Sequence, residues 1–141
     1  MKYYLFPNPK KNPWIEKYNS LVSDIKEGKR IFTEEDLQRG SEIKIGSRNV
    51  CGLGKHHVIP KSLRPDLVKD PANIVELPFK EHMDLHYFLW KADNKYGRQL
   101  WFGCVFGRKH GLWDLPGGEE EYEELKKCLR KVSKPKEVCY N

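Results

Sequence analysis

Apolar residues recur at helical spacing early in the chain. In WIEKYNSLVSDIKEGKR, positions Trp14, Tyr18, Leu21, Val22 and Ile25 share one face. This predicts an amphipathic helix over residues 14–27, stopped at Gly28 and preceded by a proline-rich head, Pro7 to Pro13. TEEDL predicts a short capped helical turn beginning at Thr33. EIKIGSRNVCGLG alternates at Ile43 and Ile45 like a strand and is broken by glycines. In GKHHVIPKSL, Val58 and Ile59 favour a strand and Pro60 ends it. RPDLVKDPAN reads as loop, and NIVELP as a second short strand with its own stop. FKEHMDLHYFLWKADNKYG predicts a helix running to Gly97, and RQLWFGCVFG a further helical stretch packed on it. Gly117 and Gly118 make a turn before EEEYEELKKCLRKV, whose acidic start and basic end suit the helix dipole. The residues after Ser133 are expected to fray. No segment repeats. The pattern predicts a single α+β domain over residues 1–141.

Composition adds a partner class. Of 141 residues 38% are hydrophobic, with 4 Trp, 7 Tyr and 6 Phe, which argues for a packed core and against disorder. The formal net charge is +6 and the isoelectric point about 9.1. A basic balance fits a polyanion, nucleic acid or an anionic membrane, and equally a plain solubility charge. No apolar run approaches the roughly 20 residues of a membrane helix. MKYYLFPNPKKNPW lacks a signal-peptide core, so the expected location is the cytoplasm. The four cysteines, Cys51, Cys104, Cys128 and Cys139, form no CxxC pair. That disfavours a cysteine-based zinc finger and predicts free thiols, several of them buried.

The histidines change the picture most. Of 5 in the chain, four lie between His56 and His86. His82 and His86 are four apart on a predicted helix, which sets both imidazoles on one face, about 6 Å apart along the axis. Such a pair can offer two metal ligands; alone, it suits a solvated polar face as well. His56 at a strand end supplies a third imidazole, and three histidines with open positions make a reactive metal site. Neighbours on a strand point to opposite faces, so His57 is free of the metal. Imidazole titrates near neutrality, which suits a general base.

The segments HHVIPKSL, NIVEL and EHMDLH together resemble the HNH endonucleases of the ββα-metal (His-Me finger) fold. The signature letters fall on His57, Asn73 and His82, with intervals of 16, 9 and 4 residues from His57 through Asn73 and His82 to His86, similar to the colicin-type nuclease motif. The wording resembles still more the small HNH proteins of bacteriophages, many of them free-standing homing endonucleases, and YNSLV and YEELKK resemble segments flanking the motif there. The resemblance implies a ββα-metal core over residues 43–96, with helices at 14–27 and 98–133 flanking it. It implies His56, His82 and His86 as ligands of one divalent ion, His57 as the base that activates water, and Asn73 as the brace that orients that base. It implies a phosphodiester hydrolase leaving 3′-hydroxyl and 5′-phosphate ends on DNA, double-stranded DNA above all, in the cytoplasm of the host. Imidazole ligands suit zinc, nickel or manganese, and magnesium is open because phosphate and water supply oxygen. Phage-type relatives often carry glycines after the SL and a threonine before the helix; here the loop is RPDLVKDPA and Pro78 takes the capping place. Proline is tolerated in a first helical turn.

Arg48, Lys55, Lys61, Arg64 and Lys69 surround the motif and are candidates for phosphate contacts, each equally well a solvated side chain. Trp90, Trp101, Phe102 and Phe106 are expected in the core with Cys104 among them. His110 is expected at the surface, and Glu119 to Glu121 at a solvated helix start. Gly117 and Gly118 follow no strand and are not a phosphate loop. A monomer or a homodimer fits equally. Two rivals stay open: a non-catalytic DNA-binding module with a structural metal, and a nuclease toxin or RNA nuclease.

Overall fold

The computed structural model describes residues 2–39, 41, 43–45, 48–49 and 52–133, with the side chains of 44–49 and 130–133 left aside. Among the described residues the chain is mixed α+β, with five α-helices and two small antiparallel sheets. Helix α1, Pro13–Lys26, starts one residue earlier than its apolar spacing suggests. Pro13 suits a first helical position, and the Asn12 side chain accepts from the Trp14 amide at 2.9 Å. Gly28, at φ +75°, turns the chain away just past the helix end. Helix α2, Glu34–Gln38, is held by a reciprocal capping box between Thr33 and Asp36. Strands β1, Lys44–Ile45, and β2, Arg48–Asn49, form a minimal pair.

Strand β3 spans Gly54–His57 and pairs antiparallel with β4, Ile74–Leu77, in the register His56↔Val75 and His57↔Ile74. The strand lies earlier than the Val58–Ile59 pair led us to expect. Those two residues are buried beyond it, where Val58 donates to the Asn73 carbonyl at 2.8 Å and the Asn73 side chain grips Ile59. Their apolar bulk is used for the core, not for pairing. The loop between the strands contains two short 3₁₀ turns, Pro65–Leu67 and Pro71–Asn73.

Helix α3 runs Phe79–Ala92 from Pro78 at its cap, as a first-turn proline allows. It stops short of the expected Gly97. Asp93 is extended at φ −157°, and its carboxylate accepts from the Lys95 amide at 3.1 Å, opening a 3₁₀ turn, Asn94–Tyr96. Helix α4 then spans Gly97–Lys109. A Cβ at Gly97 would lie 3.1 Å from Leu125 and 3.2 Å from Trp90, so glycine permits the close start of α4. Helix α5 spans Glu119–Ser133.

Helix α3 is the axis of the fold. One face carries Leu85 and Leu89 into a core with Tyr18 and Val22 of α1, Val75 and Leu77 of β4, and Val58. The other carries Met83, Tyr87 and Trp90 into a core with Leu100 and Cys104 of α4 and Tyr122 and Leu125 of α5. Each fully buried aliphatic or aromatic side chain contributes roughly 1.5–3 kcal/mol. Trp90 and Cys104 are buried as expected, and Trp101 and Phe106 are half-buried. Phe102 is instead 64% exposed, because Leu100 and Cys104 take the inner face of α4. Glu121 also departs from expectation and is buried. Cys128 is half-buried, and Cys51 and Cys139 lie outside the described residues, as does the segment after Ser133. No helix among the described residues is long and apolar enough to cross a membrane.

Candidate metal centre

Strand alternation separates the adjacent histidines. His56 is 4% exposed and points inward, whereas His57 is exposed. One helical turn of α3 brings His82 and His86 onto the face that meets β3. The three rings converge. Ring centroids are 5.0 Å apart for His56–His82, 4.9 Å for His56–His86 and 4.8 Å for His82–His86. One ring nitrogen from each lies within 4.8 Å of the other two.

Burial holds these imidazoles neutral. It lowers His82 to about 4. Burial, with the neighbouring His82, lowers His86 to about 3. Burial first, and then the other histidines, hold His56 well below its ordinary value. Neutral imidazole is the form that donates a lone pair to a metal. Among the described residues neither the His82 nor the His86 ring makes a hydrogen bond to protein, so both rings keep ligand capacity. Three neutral, convergent imidazoles beside an open cleft fit a divalent transition metal.

His57 is fixed separately. Its Nε2 lies 2.9 Å from the Val68 carbonyl oxygen. A carbonyl only accepts, so Nε2 carries the proton and Nδ1 keeps the lone pair. Val68 belongs to the loop that Asn73 staples. Asn73 is fully buried. Its Oδ1 accepts from the Ile59 amide at 2.9 Å, and its Nδ2 donates to the carbonyls of Ile59 at 3.1 Å and Leu67 at 3.4 Å. One side chain therefore ties the end of β3 to the residue preceding Val68.

A cleft of about 230 Å³ opens over the cluster, lined by the four histidines together with Lys55, Lys61, Tyr96 and Gln99. The basic candidates divide there. Lys55 and Lys61 are exposed at the cleft. Arg64 is engaged by Asp66, at 3.0 and 2.8 Å. Lys69 lies in a different groove with Lys26 and Glu76. The side chain of Arg48 lies outside the described residues. His110 is half-buried, its ring tilted at 54° to that of Phe106 with centroids 4.5 Å apart, and does not join the cluster.

Three contributors escape sequence reading. Tyr96 and Gln99 reach the cleft only because the chain turns at Asp93 and restarts at Gly97. Tyr18 occupies an apolar position of α1, yet its hydroxyl lies 2.7 Å from His56 Nε2 and 2.7 Å from the Val58 carbonyl. Burial raises the Tyr18 phenol well above its ordinary value. Its sequence signal is only that of a core aromatic.

No family model, curated protein or solved structure matches the chain.

Proposed function

We propose that the chain is a metal-dependent DNA endonuclease of the HNH class, built on a ββα-metal core formed by β3, β4 and α3, and of the nicking, homing type found in bacteriophages. The observation that carries this reading is the pairing of two differently aimed histidines. His56 joins His82 and His86 in a buried cluster, while His57 stands outside it with a tethered ring. A scaffold with a structural metal has no use for the second histidine.

His57 Nδ1 takes a proton from water, and the resulting hydroxide attacks phosphorus in line. The bond to the 3′-oxygen breaks and the leaving oxygen takes a proton from a solvent water, giving a 3′-hydroxyl and a 5′-phosphate. The Val68 carbonyl holds the ring in the tautomer this needs, and Asn73 holds the loop that presents Val68. Lys55 and Lys61 suit contacts to phosphates flanking the scissile one. His56, His82 and His86 would hold a divalent ion, which would supply Lewis-acid stabilisation of the developing negative charge.

The test is incubation with supercoiled plasmid under magnesium, manganese, zinc or nickel, with and without chelator. Cleavage is expected only with a divalent ion. His57→Ala should lower it by about 10²–10⁴-fold with metal affinity nearly unchanged, whereas His82→Ala should lose both. Equal loss of metal affinity in the two variants, by calorimetry, contradicts the division of labour. A plasmid left intact under every ion favours a non-catalytic DNA-binding module.

A further inference from the structure

The Tyr18 hydroxyl has two neighbours and one proton. The Val58 carbonyl, at 2.7 Å, has no hydrogen to offer, so the short contact requires Tyr18 to donate to it. That leaves the phenolic oxygen as the acceptor towards His56 Nε2, also at 2.7 Å. The His56 Nε2 therefore bears the ring proton, and the Nδ1 is the only His56 nitrogen with an available lone pair. The reverse arrangement, with Tyr18 donating to His56, sets two bare oxygens 2.7 Å apart in a buried site.

The hydroxyl is held firmly. Tyr18 is fully buried, Phe6 meets its ring edge-on with centroids 5.8 Å apart, and Val22 follows one turn later in the same core. The Val58 carbonyl is fixed in turn, because the Val58 amide donates to the Asn73 carbonyl at 2.8 Å. The contact spans 38 residues and joins a helix outside the β3–β4–α3 unit to the one histidine of the cluster that a strand supplies.

We propose that Tyr18 is a positioning residue of the metal centre: its hydroxyl, oriented by the Val58 carbonyl, accepts from His56 Nε2 and presents His56 Nδ1 as the ligand atom. The inference rests on the metal-centre reading above. It makes α1 part of the site. Outer partners of ligating histidines fix tautomer and ring orientation, and their loss costs 10–100-fold in metal affinity.

Two measurements test this on the full chain. Two-bond ¹H–¹⁵N spectra of the metal-free protein read which His56 nitrogen is protonated. Calorimetry with zinc reads affinity. Wild type is expected to show a single Nε2–H tautomer at His56. Tyr18→Phe keeps the ring and removes the oxygen; His56 should then populate both tautomers, and zinc affinity should fall about 10–100-fold. Val22→Ala, which loosens the same core without touching the hydroxyl, should keep the tautomer and bind zinc within about threefold of wild type. Protonation of His56 at Nδ1 in wild type overturns the proposal. So does a Tyr18→Phe chain that binds zinc as tightly as wild type, or a Val22→Ala chain that loses as much. If wild type binds neither zinc nor cobalt, the metal centre itself falls, and the spectra alone uphold or overturn the tautomer assignment.

Discussion

Asn73 exposes no surface, and each of its side-chain bonds ends on a backbone group of another residue. It does for Ile59 what a strand partner would do, satisfying both its amide and its carbonyl where the β-ladder has already stopped. Asn73→Ala leaves those two groups buried without partners, at about 1–3 kcal/mol each. We expect a loss of roughly 2–5 kcal/mol in urea unfolding of the metal-free chain. His57→Ala should stay within about 0.5 kcal/mol of wild type, since that ring is exposed. An Asn73→Ala chain as stable as wild type would show that the staple carries nothing. The contrast separates two kinds of motif residue. His57 was legible from strand alternation alone, because its neighbour points the other way. Asn73 was legible only through resemblance, because an asparagine after Pro71 reads locally as a turn residue. Tyr18 was not legible at all as a site residue. The spacing that places it in the core says nothing of where its hydroxyl ends.

At the scale of elements, one carboxylate of α5 adds polar ties to α3 beside the core the two helices share. Glu121 accepts from the Gly117 amide at 2.8 Å, the Tyr87 hydroxyl at 2.7 Å and Lys91 Nζ at 3.0 Å. Burial pushes its carboxyl up, and the bonds from Tyr87, Lys91 and Gly117 together pull it further down, so it titrates below its ordinary value. A carboxyl whose folded value is depressed adds stability above its unfolded value, near 4.3, and loses it as pH falls through the folded value. Glu121→Gln should therefore be less stable than wild type at pH 7, by about 1–3 kcal/mol, and the gap should narrow at pH 3. A gap of equal size at both pH values in urea unfolding contradicts a charged Glu121 as the anchor. This carboxylate was expected in solvent, as part of an acidic run at a helix start. Its neighbours Glu119 and Glu120 are exposed; only the helical phase turns Glu121 towards Tyr87. Elements with caps written into the chain, α1 and α2, were legible to within a residue. The end of α3 was not, because no glycine or proline interrupts the pattern before Gly97 and the stop is made by Asp93. Strand β3 ends before the Val58–Ile59 pair that suggests it, because β-branched residues that fill a core are indistinguishable, one by one, from those that pair.

The molecule as a whole has one cluster of convergent histidines among its described residues and a formal net charge of +6. A single centre of the proposed kind performs one in-line attack on one phosphodiester. A double-strand break then requires a second protomer or a second encounter after the first cut. Helices α1 and α5, both amphipathic, direct their apolar faces inward. Ile15, Tyr18 and Val22 of α1 belong to one core, and Tyr122 and Leu125 of α5 to the other. An interface made from those faces would have to open the chain's own packing, so we expect a monomer that nicks. Supercoiled plasmid should pass first to nicked circles, with linear DNA appearing later if at all, and the nicking rate should rise in proportion to protein concentration. Nicking should also slow as salt rises, since the phosphate contacts proposed for Lys55 and Lys61, which line the cleft, would act through charge. Linear product at low protein concentration, without a nicked intermediate, would refute this. It would require two centres facing opposite strands in a preformed dimer, joined through faces other than the buried ones of α1 and α5, and would move the proposed role from a nicking homing enzyme towards a restriction-like nuclease.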